Sequence, residues 1–201
     1  MAGRSLAVVI LAAGQGTRMK SALPKVLHPI GGRPLISHVL DAAAGLSPES
    51  IIAVVRHERA RVTEVITNHA PHTTIVEQDE VPGTGRAVEQ ALAALPASFD
   101  GSVVVLSGDV PLIDVATLER LTRGHVERGR GMTLLSAVSE DPTGLGRILR
   151  DGNGAMLGIV EEKDASDAQR RITEINGGIY VFSRRALQRA RIGIGILQSD
   201  V

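Results

Sequence analysis

Three short stretches hold most of the chemistry in this 201-residue chain. The first is Leu11-Ala12-Ala13-Gly14-Gln15-Gly16-Thr17-Arg18-Met19. Its small residues let backbone N–H groups approach a phosphate closely, and Arg18 adds a planar cation with several donors. A simple tight turn is the plainer alternative. Pro24-Lys25 follows in the same connection, where the ammonium would be a point charge for a triphosphate or an ordinary solvated lysine. The second stretch is Gln78 with Pro82-Gly83-Thr84-Gly85. A side-chain amide beside a backbone edge can read the Watson–Crick edge of a base, although a helix start with a loose lead-in accounts for the same residues. The third is Ser107-Gly108-Asp109-Val110-Pro111, an acid placed directly after a glycine. Such a carboxylate can hold a hard cation such as magnesium. It could instead cap a helix, but Asp114 already suits that task.

Known phosphate signatures do not fit. A dinucleotide fingerprint needs a third glycine where Met19 stands and an acid about 20 residues later. A P-loop needs Gly-Lys-Ser where the chain has Met19-Lys20-Ser21. Further along come Gly144-Leu145-Gly146-Arg147, Glu161-Glu162-Lys163-Asp164 and Ile175-Asn176-Gly177-Gly178. Taken singly, these are turns or a solvated charge run.

The elements around these stretches explain why they matter. Leu6–Leu11, Ile51–Val55, Thr74–Val76 and Val103–Leu106 are continuous apolar runs, as in strands covered on both faces. Amphipathic stretches separate them: Pro34–Leu46, Glu58–His69, Thr84–Leu95 and Asp114–Arg128. Asp114 has Leu118 and Leu121 after it at helical spacing, which makes it an N-cap candidate. Strand and helix alternating in this way predict parallel βαβ units. After residue 131 the pattern changes. Met132–Val138 and Gly177–Phe182 read as strands, and Asp151-Gly152-Asn153-Gly154 predicts a hairpin between Arg147–Leu149 and Ala155–Val160. The expected fold is α/β: a Rossmann-like, open, mixed and mostly parallel sheet, helices on both faces, and an antiparallel hairpin excursion in the second half. In such sheets ligands bind beyond the carboxyl ends of the strands, which is where all three stretches fall.

Composition removes other classes. Lys and Arg number 22 and so do Asp and Glu, and this zero net charge argues against a nucleic-acid backbone or a membrane surface as the main partner. Phe99, Tyr180 and Phe182 are the only aromatics, too few for a base-stacking platform. Without cysteine there is no disulfide, thiolate metal site or thiol nucleophile. No apolar run is long enough to span a membrane, and the start reads as a core strand and not a signal peptide, so the expected compartment is the cytoplasm. The six histidines show no metal-ligand spacing.

Taken together, the runs LAAGQGTRM, PKVLH, GTGRA, LSGDVP, DPTGLGRI, IVEEKDA and EINGGIY resemble the sugar-phosphate nucleotidyltransferases. Within that superfamily they are most similar to the uridylyltransferase domain of the bifunctional bacterial N-acetylglucosamine-1-phosphate uridylyltransferase/glucosamine-1-phosphate acetyltransferases. The resemblance covers residues 5–183 and implies the nucleotide-diphospho-sugar transferase fold. It also implies roles. Leu11, Ala12, Ala13 and Gly14 would wrap the nucleotide. Arg18 and Lys25 would contact phosphates. Gln78, Gly83 and Thr84 would hold uracil. Ser107, Gly108 and Asp109 would line the site, with Asp109 ligating Mg2+. Gly146, Glu161 and Asn176 would bind the N-acetylglucosamine and ribose end of the product. The implied reaction joins UTP to N-acetylglucosamine 1-phosphate with release of pyrophosphate, for peptidoglycan precursors.

The chain departs from the family pattern in three places. Val81 stands where a glutamine is common, and Arg86 where a histidine is usual. Residues 184–201 read as a divergent tail, so that 1–183 would be a C-terminally incomplete nucleotidyltransferase domain without the β-helix acetyltransferase part. A monomer with no acetyl transfer is therefore expected. The alternatives are a nucleotide-binding fragment without turnover, or a related enzyme with another base or sugar.

Overall fold

The computed structural model describes residues 5–14, 16, 19–81 and 83–190. Arg18, Pro82 and the stretch 191–201 therefore lie outside the described residues. Contacts divide the chain into two compact units, Met1–Thr133 with Tyr180–Val201, and Leu134–Ile179.

The first unit begins with β1 (Leu6–Ala12). A short hairpin, β2 (Pro29–Ile30) and β3 (Arg33–Pro34), leads into α1 (Leu35–Gly45). Then follow β4 (Ser50–Val55), α2 (Arg59–His69), β5 (Thr74–Glu77), α3 (Thr84–Ala93), β6 (Ser102–Ser107) and α4 (Val115–Glu127). The strands lie in the order β5-β4-β1-β6, all parallel. The expected runs thus form strands, each within a residue or two of its anticipated ends.

Both faces of β1 are dry: Ala7, Val8, Val9 and Ile10 have no exposed surface. Alternation sends Ala7 and Val9 to one side, where they join Val88, Ala91 and Leu92 of α3 and Phe99 in one core. Val8 and Ile10 take the other side, and Ile36, Val39 and Leu40 of α1 are buried as well. Each fully buried Val or Ile of this kind contributes about 1.5–3 kcal/mol. Asp114 caps α4 as anticipated, its carboxylate accepting the Thr117 N–H at 2.7 Å, a contact of about 1 kcal/mol.

The second unit is antiparallel. It holds most of β7 (Met132–Val138), then β8 (Arg147–Arg150), β9 (Met156–Val160) and the short helix α5 (Asp167–Arg170). It also holds the first half of β10 (Glu174–Ser183). The order is β10-β8-β9, and β7 also pairs with β10. The β8–β9 turn is the anticipated one, with the Asp151 carboxylate accepting N–H groups of Asn153 and Ala155 at 2.9 and 2.8 Å. The last residues of β10, Tyr180–Ser183, belong to the first unit and run antiparallel to β6. Helix α6 (Arg184–Ala190) follows, past the boundary drawn at 183, and its Leu187 is buried in the core of the first unit. The chain is thus a mixed, mostly parallel α/β fold with an antiparallel hairpin. Among the described residues no helix is long and apolar enough to cross a membrane.

Candidate active site

The carboxyl ends of β1, β4, β5 and β6 open onto one cavity of about 520 Å³. Leu11, Ala13 and Gly14 reach it from β1, and Lys25 and Val26 from the connection that follows. Gln78, Gly83 and Thr84 line it beyond β5, and Ser107 and Asp109 beyond β6. Nine of the eleven described residues expected at the nucleotide end therefore line a single space. Ala12 and Gly108 do not. Ala12 is buried within its strand. Gly108 lies behind the wall, donating its N–H to the Leu11 carbonyl at 2.9 Å. A β-carbon there would sit 3.0 Å from that same carbonyl, so a side chain at this position would push the neighbouring backbone by a few tenths of an ångström.

Lys25 and Asp109 form an ion pair inside the cavity. Ser107 Oγ donates to the other carboxylate oxygen at 2.5 Å. Burial alone would raise the Asp109 carboxyl, but the ammonium and the hydroxyl outweigh it and hold it below the usual carboxylate range. Asp109 is therefore an anion at neutral pH, ready to exchange its lysine for another cation.

Gln78 is buried and fully oriented. Its amide N–H groups donate to the carbonyls of Val81 at 3.0 Å and Gly83 at 3.2 Å. The carbonyl oxygen is then the atom left to meet a ligand. Val81 thus serves through its backbone, whatever its side chain. Arg86 clamps the loop after β5 to α3 by donating from Nε to Asp79 at 2.9 Å and from Nη1 to Glu89 at 2.7 Å.

The lining also includes Val26 and Ala87, and two residues that lie outside every motif named above, Arg56 and His57. The latter two directly follow β4, so the strand-end rule that found the others would have found them too. Arg56 donates to the Glu80 carbonyl at 3.0 Å, joining the loops after β4 and β5. His57 also lines a second cavity of about 400 Å³ together with Gly16 and Lys20.

The remaining three expected residues form a group of their own in the second unit. Arg147 of β8 is paired with Val160 of β9 and with Ile175 of β10. One step further along, the antiparallel register brings Gly146, Glu161 and Asn176 into a single row. Asn176 N–H donates to the Gly146 carbonyl at 2.8 Å. A β-carbon on Gly146 would lie 3.1 Å from Glu161 Oε1, so the missing side chain is the space the carboxylate uses.

No three His, Cys, Asp or Glu gather into a metal-binding group among the described residues.

Residues 8–186 match the family model of the MobA-like NTP transferase domain. The chain belongs to that family and is a nucleotidyltransferase. Its relatives include the bifunctional protein GlmU of Leifsonia xyli subsp. xyli, 57% identical over 188 residues that are 94% of this chain and 39% of that protein. GlmU of Clavibacter sepedonicus is 56% identical over 191 residues, 95% of this chain and 39% of that protein. The chain spans about two fifths of the length of these relatives. In fold it is similar to HddC from Yersinia pseudotuberculosis, with a TM-score of 0.69 at 21% identity, over 91% of this chain and 79% of that one.

Proposed function

We propose that this chain transfers a uridylyl group from UTP to N-acetylglucosamine 1-phosphate, giving UDP-N-acetylglucosamine and pyrophosphate for cell-wall precursors. The observation that carries the reading is the cavity itself. It sets an oriented amide acceptor on Gln78 and a Lys25–Asp109 ion pair in one space at four strand ends. High identity to GlmU proteins supports the same activity.

The Gln78 carbonyl oxygen suits a base that offers a ring N–H. Uracil has one at N3, whereas cytosine presents a lone pair there. Leu11, Ala13 and Gly14 line the same space as backbone wall, and Ala12 and Gly108 shape it from behind. In the second unit the row Gly146, Glu161 and Asn176 is assigned to the N-acetylglucosamine end.

Chemically, a phosphate oxygen of the sugar phosphate forms a bond to the α-phosphorus. The bond from that phosphorus to the bridging oxygen breaks, and its electron pair leaves with pyrophosphate. The nucleophile is already an anion, so the chain needs no general base. Its task is to orient two anions and to neutralise charge. Lys25 meets phosphate charge, and Arg18, by the family pattern, adds a second cation. Asp109 would hold a magnesium ion, which when bound supplies the charge that offsets the repulsion between the two anions.

Pyrophosphate release with UTP, N-acetylglucosamine 1-phosphate and magnesium tests the proposal. Asp109→Ala should lower the rate by more than about 10³-fold, above the loss of one charge-stabilising contact. Faster release with CTP, or with another sugar phosphate, would replace the substrate assignment. UTP binding without any release would leave a nucleotide-binding domain and end the claim of turnover.

A further inference from the structure

Among the described residues Arg147 is the largest side chain with essentially no exposed surface, only 1%. It donates from Nη1 to the Leu145 carbonyl, and from Nη2 to Glu162 Oε2 at 2.5 Å and to the Arg170 carbonyl at 3.3 Å. Its Nε has no partner among the described residues.

Stability is a poor explanation for this arrangement. Burying an ion pair is often no better than burying apolar side chains of similar size. The unpaired Nε adds the cost of a buried donor left unsatisfied. Position accounts for it better. Arg147 directly follows Gly146, and its partner Glu162 directly follows Glu161. Leu145, whose carbonyl it also holds, directly precedes Gly146. Val160 and Ile175, its neighbours across the ladder, directly precede Glu161 and Asn176. One guanidinium therefore fixes the backbone on both sides of Gly146 and the residue beside Glu161. Strand alternation turns its side chain away from the face that Gly146 and Glu161 share. It touches none of the atoms assigned to the sugar, so any influence on the sugar passes through those residues.

We infer that Arg147 is a positioning residue for the sugar-binding row: its buried fork on Leu145, Glu162 and Arg170 sets the spacing of Gly146 and Glu161. The inference rests on the proposed assignment of that row to N-acetylglucosamine. A lysine could keep the charge but not the planar fork, since it is a point donor on a flexible stem.

The test is steady-state kinetics on Arg147→Lys and, as a gentler break of the same pair, Glu162→Gln. Thermal melting confirms that each variant is folded. Removing a partner that orients a binding group commonly costs on the order of 10- to 100-fold. The KM for N-acetylglucosamine 1-phosphate should rise by that factor in Arg147→Lys, and less in Glu162→Gln, while the KM for UTP stays as in the wild type. Calorimetric titration with the sugar nucleotide product should weaken in parallel. A merely structural role would lower the melting temperature and leave the sugar KM alone, or move both KM values together, and either result overturns the inference. If Arg147→Lys does not fold, an unchanged sugar KM in Glu162→Gln overturns it by itself. Wild-type protein separates the two levels. Turnover that does not saturate with N-acetylglucosamine 1-phosphate defeats the sugar assignment and this inference with it. Saturation in the wild type, with no selective change in folded variants, defeats this inference alone.

Discussion

The two units build their sites by different means. In the first, the cavity is a meeting of loops. Lys25, Gln78 and Asp109 come from three separate connections, those that follow β1, β5 and β6. In the second, Gly146, Glu161 and Asn176 meet because strand pairing places them in one row. A loop site can carry mobile charge, and Lys25, with 44% of its side chain exposed, is free to leave Asp109 for a phosphate. A row site is stiff, and its spacing is set by pairing and by what a glycine leaves open. The first arrangement suits charge that develops during reaction, and the second suits recognition of a fixed shape. Substitutions in the two units should therefore split between kcat and KM.

The larger effect is expected in the loops. Lys25→Ala removes a cation from the phosphate end and should lower kcat by about 10²- to 10³-fold, as for the loss of one preorganised charge contact. The KM for the sugar phosphate should change little. Divalent-cation binding without nucleotide should tighten in the same variant, because the ammonium that pairs with Asp109 is gone. A variant that lost only sugar affinity would erase the contrast between the units.

A smaller and opposite signature is expected in the row. Gly146→Ala places a methyl 3.1 Å from Glu161 Oε1 and from Ile159 Cγ2, so the carboxylate must give way by a few tenths of an ångström. Misplacement by a full ångström can cost on the order of 10²-fold, and this lesser shift should cost about 10-fold, mainly in the KM for the sugar phosphate. An equal loss in kcat would show that the row also acts in the transition state.

This difference between units also governs what could be read from sequence. Strand ends are local signals. Leu6–Leu11 and Val103–Leu106 declare themselves by unbroken apolar runs, and the chemistry follows each run directly. Arg56 and His57 obey the same rule after β4 but have no glycine or acid to draw attention. The β2–β3 hairpin was carried by Gly31 and Gly32, both with positive φ, yet the prolines flanking it argue against strands. Ser166 and Gln169 form a capping box that opens α5, a signal hidden beside a charge run. Register is non-local. Nothing in the residues alone says that Gly146 lies opposite Glu161 and Asn176, so these three entered only through family resemblance. Arg147 was least legible, because an arginine between a turn and a short strand reads as exposed until three elements close over it.

The smallest expected effect concerns what holds the row's strands together, and it depends on pH. Glu174 of β10 accepts from Arg150 of β8 at 2.7 and 2.6 Å and from Ser136 of β7 at 2.7 Å, so one carboxylate ties three strands. Arg150 first, and Ser136 after it, pull its carboxyl down from the ordinary 4.5 to about 2. A carboxyl lowered by folding stabilises the fold above its unfolded value, and that contribution fades as pH falls through its folded value. The pair is partly exposed, so solvent and salt screen it. Glu174→Gln keeps the shape and removes the charge. Its melting temperature should lie slightly below that of the wild type at pH 7, and the gap should close between pH 4.5 and about 2 and narrow at high salt. A gap for Glu174→Gln that persisted at pH 2 would assign the residue to packing, and the stiffness of the row would then rest on Arg147 and the backbone ladder alone.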